Sequence, residues 1–301
     1  MESVHRHPTL LLLVLLLSGG CLLEDSPEYR EYPVVETHLI AERELPPLYL
    51  STSVAIDQEY QFDEVAVSEA DVTLHLLDAN GNSELSMSYR PVQAGVYLPQ
   101  AWISHTVRPG RSYRLNVEID GFDPIVAETT VPPVFEVISD VPDALVYQQD
   151  TLIVRIRREN ESDRQQVFLF QTVSDEPEVE NLTPFYRDLI EREQSEMDEI
   201  ISNPSTPVNE ANFTRVDPYT LDIQYPWIAA AFFGKNRIIA NAIDRNLHDF
   251  LRSQGAQTGG STLPPGEIPN PIYHIEGALG IFGSLSADTI STTILRPDPT
   301  P

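Results

Sequence analysis

Apolar and polar residues alternate along most of this chain with the two-residue period of β-strands, interrupted by Gly, Pro, Asn and Asp. Residues 34–40 are apolar and β-branched, and residues 48–56 form a second run entered through Pro46-Pro47. In residues 71–78 (DVTLHLLD), Val72, Leu74 and Leu76 share one side, Thr73 and His75 the other. Residues 78–82 (DANGN) predict a turn. Residues 84–89 and 95–98 read as short strands. In residues 111–120, Tyr113, Leu115, Val117 and Ile119 line one face, and residues 124–131 complete the set before Pro132-Pro133. About seven short strands in roughly 100 residues predict an immunoglobulin-like β-sandwich over 34–133.

The second half is mixed, and residues 134–295 predict a second β-rich module with one or two helices inserted. Residues 135–138, 151–157 and 166–173 read as strands, with Leu152, Val154 and Ile156 on one face. A helical insertion is expected over 184–202, with Thr183 as N-cap and Pro184 at the first helical position. Phe185, Leu189, Met197, Ile200 and Ile201 form its apolar side, and residues 203–207 (NPSTP) stop it. Residues 220–224, 227–233 and 236–242 are apolar. A short helix is expected over 244–254, with Leu247, Phe250 and Leu251 inward and Gly255 beyond its end. After a Gly/Pro-rich loop at 257–271, residues 272–285 and 289–295 look like closing strands. Gly277, Gly280 and Gly283 in the first of these mark close backbone packing. Residues 296–301 read as a flexible tail.

One stretch does not alternate. Residues 10–17 are eight consecutive apolar residues, followed by Ser18, Gly19, Gly20 and Cys21. As a helix they would rise about 12 Å, against roughly 30 Å of bilayer hydrocarbon. Residues 1–20 therefore read as a signal peptide. Ser-Gly-Gly-Cys looks like a bacterial lipobox with Ser18 where Leu is usual, which makes Cys21 the lipidation site and residues 21–33 a lipidated Cys and tether. The other reading is an ordinary signal peptide that contains a Cys. One acyl chain anchors marginally; two or three hold stably, at about 0.8 kcal/mol per buried methylene. Cys21 is the only cysteine, so the mature chain would hold no disulfide.

The sequence has 301 residues and a net charge of -27, with 46 Asp plus Glu against 19 Lys plus Arg, and Lys235 as its single lysine. Such a charge repels nucleic-acid phosphates, so no nucleic-acid partner is expected. Excess acid with almost no Lys resembles proteins of salty habitats, where salt screens surface self-repulsion. The unfolding midpoint should then rise from low to molar salt; a flat response would count against this reading.

Four motifs carry a family resemblance: PVVETHLI; EADVTLHL with AGVYLP; PGRSYRLNVEIDG leading to AETTVPP; and IEGALGIFGSLSADT. In their order and spacing the chain resembles the lipoprotein family called domain of unknown function forty-two forty-nine, from Bacteroidota and relatives. The resemblance implies an outer-membrane or cell-surface lipoprotein, lipid-anchored, of a family with no established activity, and a non-enzymatic role is the favoured reading. It implies an accessory or binding component working with a TonB-dependent outer-membrane receptor in nutrient uptake, or else a structural or adhesive surface protein. It supplies no catalytic residues.

The residues themselves add little chemistry. His38, His75, His105, His248 and His274 show no i, i+4 pairing, and neither a Gly-x-Ser-x-Gly elbow nor a phosphate loop is present. No metal, cofactor or catalytic residue is predicted, and hydrolysis by carboxylates brought together in the fold is the less favoured alternative. Asp78, Asn80 and Asn82 have a calcium-loop spacing, but Gly81 and Tyr89 occupy the wrong places, and a hairpin turn is the better reading. Glu191, Glu193, Glu196, Asp198 and Glu199 make either a solvated face or a docking face for a basic partner. Tyr225, Trp227, Phe232 and Phe233 either pack the core or line a ligand groove.

Overall fold

The strands of the first half form because their alternation lets one face be buried and the other wetted. The structure is a computed structural model describing residues 29–138, 141–158, 166–201, 204–258 and 271–298, with the backbone alone at 255–258. The leader and Cys21 lie outside the described residues. β1 (Pro33–Ile40) buries Val35, Thr37 and Leu39 in alternation. It is followed by β2 (Leu48–Thr52), a one-turn helix α1 (Phe62–Val65), β3 (Asp71–Leu77), β4 (Ser83–Gln93), β5 (Val96–Pro99), β6 (Ser112–Glu118) and β7 (Ile125–Thr130). The predicted face of β6, Tyr113, Leu115 and Val117, is buried to 1% exposure or less. The β3–β4 connection is the hairpin turn expected at Asp78, whose carboxylate accepts the backbone N–H groups of Asn80 and Asn82, each at 2.8 Å.

β4 bends so that its first half pairs with β3 and its second half with β5. This makes two layers, β4-β3-β6-β7 and β4-β5-β2-β1, around Leu48, Leu50, Leu74, Met87, Tyr97 and Tyr113. Burying such side chains stabilises by about 1.5–3 kcal/mol each.

The second half contains β8 (Phe135–Ile138), β9 (Ala144–Val146), β10 (Ile153–Arg158), β11 (Val167–Ser174), α2 (Pro184–Glu191), α3 (Met197–Ile201), β12 (Val208–Asn209), β13 (Thr214–Asp217), β14 (Thr220–Gln224), β15 (Gly234–Ile243), α4 (Arg245–Thr258), β16 (Ile275–Glu276) and β17 (Leu279–Leu295). One layer runs β12-β11-β15-β17 and the other β13-β14-β10-β8. Val154, Ile156, Phe168, Ile238 and Ala240 pack between them.

β17 belongs to both modules. Leu279 to Leu285 lie parallel to β1, and Leu285 to Ile294 lie antiparallel to β15. The sequence reading puts this strand wholly in the second module, whereas its first half pairs with β1 of the first. Alternation predicts a strand without naming its partner, and this pairing joins opposite ends of the chain. The three glycines sit at close approaches. A Cβ on Gly277 would lie 2.5 Å from the Pro124 carbonyl oxygen, on Gly280 2.1 Å from that of Val35, and on Gly283 2.5 Å from Leu247 Cγ.

The junction is polar and buried. Thr129 Oγ1 donates to Asp244 Oδ2 at 2.6 Å and pairs with Ser284 Oγ at 2.6 Å. Asp244 Oδ1 accepts the Leu247 N–H at 2.9 Å, at the start of α4. Asn246 donates to the carbonyls of Glu128 and Phe282 at 2.7 and 2.8 Å. Burial pushes the Asp244 carboxyl up, against these hydrogen bonds.

Further sequence expectations differ from the structure. The insertion over 184–202 is two helices, not one. It breaks at Arg192, and Glu193 adopts φ 54°. No apolar residue lies between Ile190 and Met197 to hold that turn against the core, and the intervening carboxylates repel one another. Thr183 does not cap α2 through its side chain; its buried hydroxyl donates to the Ala230 carbonyl at 3.1 Å. α4 runs past Gly255 to Thr258. At the head of the predicted tail, Arg296 is held, lying 4.5 Å from the Phe233 ring centroid and donating to the Glu180 carbonyl.

Candidate functional site

The second sandwich gapes on the side where its two layers end in the short strands β12 and β13. A cavity of about 680 Å³ opens there, lined by Phe170 and Thr172 of β11, Asp222, Ile223 and Gln224 of β14, Tyr225, and the segments 204–208 and 212–214. Tyr186 of α2 and Ile228 complete the lining.

Each wall follows from local sequence. β11 alternates, so Phe168 and Phe170 point inward. Phe213 and Tyr225 flank Phe170 edge-on, with ring centroids 6.0 and 5.9 Å away. Tyr225 is buried, and its hydroxyl pairs with Thr172 Oγ1 at 2.7 Å. Burial pushes that phenol up to about 12, so it is neutral at ordinary pH. Ser205 Oγ accepts the Phe170 N–H at 3.0 Å and donates to the Thr206 carbonyl, pinning the 204–208 segment. Among the described lining residues the one ionisable group that is not a phenol is Asp222. Arg155 binds it through two hydrogen bonds of 2.6 and 2.8 Å and holds its carboxyl below the usual range. Asn212, Thr214 and Gln224 make no side-chain hydrogen bond within the described fold and are available to a ligand.

The rim is held by a buried ion pair. Arg158 Nη1 donates to Glu210 Oε2 at 2.8 Å, with side-chain exposures of 3% and 4%. Glu210 also accepts from the Gln166 backbone N–H and from Arg215, and Arg158 reaches the Pro218 carbonyl. The segment leading to Asn212 and Phe213 is thereby tied to the end of β10 and the start of β11.

Of the four aromatic candidates, only Tyr225 lines the cavity. Trp227 lies beside it, donating its indole N–H to the Asp150 carbonyl at 3.1 Å and meeting Tyr147 edge-on. Phe232 is buried with Tyr186, Leu182 and Ile200. Phe233 is buried against Tyr147. The packing alternative holds for these three. Phe170, Tyr186, Phe213, Asn212 and Thr214 were not singled out from sequence. Alternation in VFLFQTV places Phe170 and Thr172 on one face, but nothing in EANFTRV marks Phe213.

The acids Glu191, Glu193, Glu196, Asp198 and Glu199 are all exposed. His248 Nδ1 and His274 Nε2 lie 3.1 and 2.9 Å from the two carboxylate oxygens of Asp249. Burial opposes ionisation of Asp249, but the hydrogen bonds from His274, Arg245 and His248 outweigh it and lower its pKa. Among the described residues no three His, Cys, Asp or Glu side chains are grouped to hold a metal ion, and no helix is long and apolar enough to cross a membrane.

Fold and cavity together define a mainly β protein of two sandwich modules that share one strand, with a ligand-sized cleft in the second. The profile of the family described as Domain of unknown function (DUF4249) matches residues 23–291, and the chain belongs to that family. None of the curated proteins matches it. Among solved structures, Escherichia coli alpha-2-macroglobulin activated by porcine elastase is similar at 10% identity and a TM-score of 0.24, over 89% of this chain and 20% of that one. Salmonella alpha-2-macroglobulin reacted with methylamine is similar at 10% identity and a TM-score of 0.26, over 91% of this chain and 15% of that one. The IG1+IG2 segment of DIP-gamma is similar at 10% identity and a TM-score of 0.20, over 88% of this chain and 97% of that one. The chain thus spans a fifth or less of the macroglobulin chains.

Proposed function

We propose that this chain is a lipid-anchored, non-enzymatic binding component of the bacterial outer envelope that hands a small ligand to a TonB-dependent receptor. The observation that carries this reading is the cavity of about 680 Å³, within the size range of small-molecule sites. Its aromatic walls and free amide and hydroxyl groups suit holding a ligand. Its one carboxylate is fully engaged by Arg155, which suits it poorly to acid–base work. The leader ending in Cys21 supplies the anchor. That anchor places the modules on the water side of a membrane, where a partner receptor would be found.

The test is purification from native membranes under mild detergent. The chain should stay with the membrane fraction and bring a TonB-dependent receptor with it, and Cys21→Ala should move it to the soluble fraction. A variant that remains membrane-bound removes the lipid anchor from the reading. Retention of the wild type without any receptor favours the structural or adhesive role instead.

A further inference from the structure

We propose that the cavity of the second module takes a neutral carbohydrate of one or two rings, an inference that rests on reading that cavity as the ligand site. An anionic ligand needs a free cation; among the described residues none lines the cavity, and the nearby Arg155 is bound to the lining Asp222 through two short hydrogen bonds. The net charge of -27 adds a field that repels anions. A cationic ligand needs a free carboxylate, and Asp222 is the same engaged group. The ligand is therefore uncharged.

Its surface must also be of two kinds. Phe213, Phe170 and Tyr225 form a continuous apolar wall. Asn212, Thr214 and Gln224 also belong to the lining, and all three are exposed. A purely apolar ligand would pack on the rings but make no use of these three groups. A pyranose matches both: its C–H face packs on aromatic rings, and its hydroxyls both donate and accept, as amide and hydroxyl side chains do. An extended peptide adding to the sheet is disfavoured. β13, the edge strand at the mouth, has only four residues, a register break between Arg215 and Asp217, and charges at both positions.

The test uses the full chain without its leader, carrying Trp102→Ala. Trp102 is 78% exposed and remote from the cavity, and the substitution leaves Trp227 as the only tryptophan. Maltose, cellobiose and N-acetylglucosamine are titrated against Trp227 emission and ligand-observed NMR, beside p-cresol, choline and benzoate. Saturable binding of a sugar is expected, with choline and benzoate silent. Phe213→Ala should weaken it about tenfold and Gln224→Ala or Asn212→Ala several-fold. Because Gln224 and Asn212 are exposed, those variants serve even if Phe213→Ala disturbs folding. Uptake of p-cresol, choline or benzoate in a Phe213-dependent way, with sugars excluded, keeps the cavity as a ligand site and overturns the carbohydrate class. Sugar binding indifferent to all three substitutions also overturns it. Silence from every probe overturns both the class and the cavity as the ligand site.

Discussion

Gly280→Ala should lower the stability of the whole chain by roughly 3–5 kcal/mol, combining a conformational penalty with a backbone clash. Gly280 has φ +105°, in the region that side chains rarely adopt, and a methyl there would stand 2.1 Å from the Val35 carbonyl oxygen. The obstacle is backbone, not a side chain that can rotate away. Val35 and Gly280 are direct partners in the β1–β17 register, so relief means moving one strand off the other. Gly81→Ala is the matched control. Its φ is +80° but nothing lies within 4 Å of the added methyl. It should cost only about 1–2 kcal/mol, the conformational part alone. Urea midpoints for both variants check this. Equal losses would mean that the clash is absorbed locally and that β17 does not need its close approach to β1.

Arg158→Ala should cost about 3–5 kcal/mol, because it strands the Glu210 carboxylate in a dry site. The pair is 3% and 4% exposed, and Arg215 approaches Glu210 only from the more exposed side, at 3.3 Å. Replacing both partners, as in Arg158→Leu with Glu210→Leu, should cost less than Arg158→Ala alone, since no charge is left uncompensated. Glu210 also receives the Gln166 N–H, and one Arg158 nitrogen, Nε, has no partner in the described fold, so the pair is not an optimum to begin with. A double variant less stable than the single would show that the interaction is favourable beyond neutralising buried charge. Because Glu210 lies two residues before Asn212, ligand affinity should fall with stability in the single variant.

Much of the fold is legible in the sequence, because strand alternation is a local signal and here it is strong. Val72, Leu74 and Leu76 are all buried, as are Leu152, Val154 and Ile156. Gly277, Gly280 and Gly283 announce close approaches, and each has one. What is not legible is partnership. Nothing in PVVETHLI says that its neighbour is LGIFGSL, and nothing in the run from Glu191 to Glu196 announces a helix break until its lack of an apolar anchor is set against the core. The cavity is the hardest case. Its walls come from β11, β14, α2 and two irregular segments, so proximity in sequence picked out Trp227, Phe232 and Phe233, which point elsewhere. Of the aromatic candidates Tyr225 alone lines it, and Phe213 follows a segment that the Glu210–Arg158 pair holds in place.

The shared strand also sets an order of events. β1 is made long before β17, its parallel neighbour. Until β17 arrives, one edge of the first sandwich stays unpaired, and contacts so distant along the chain are slow to form.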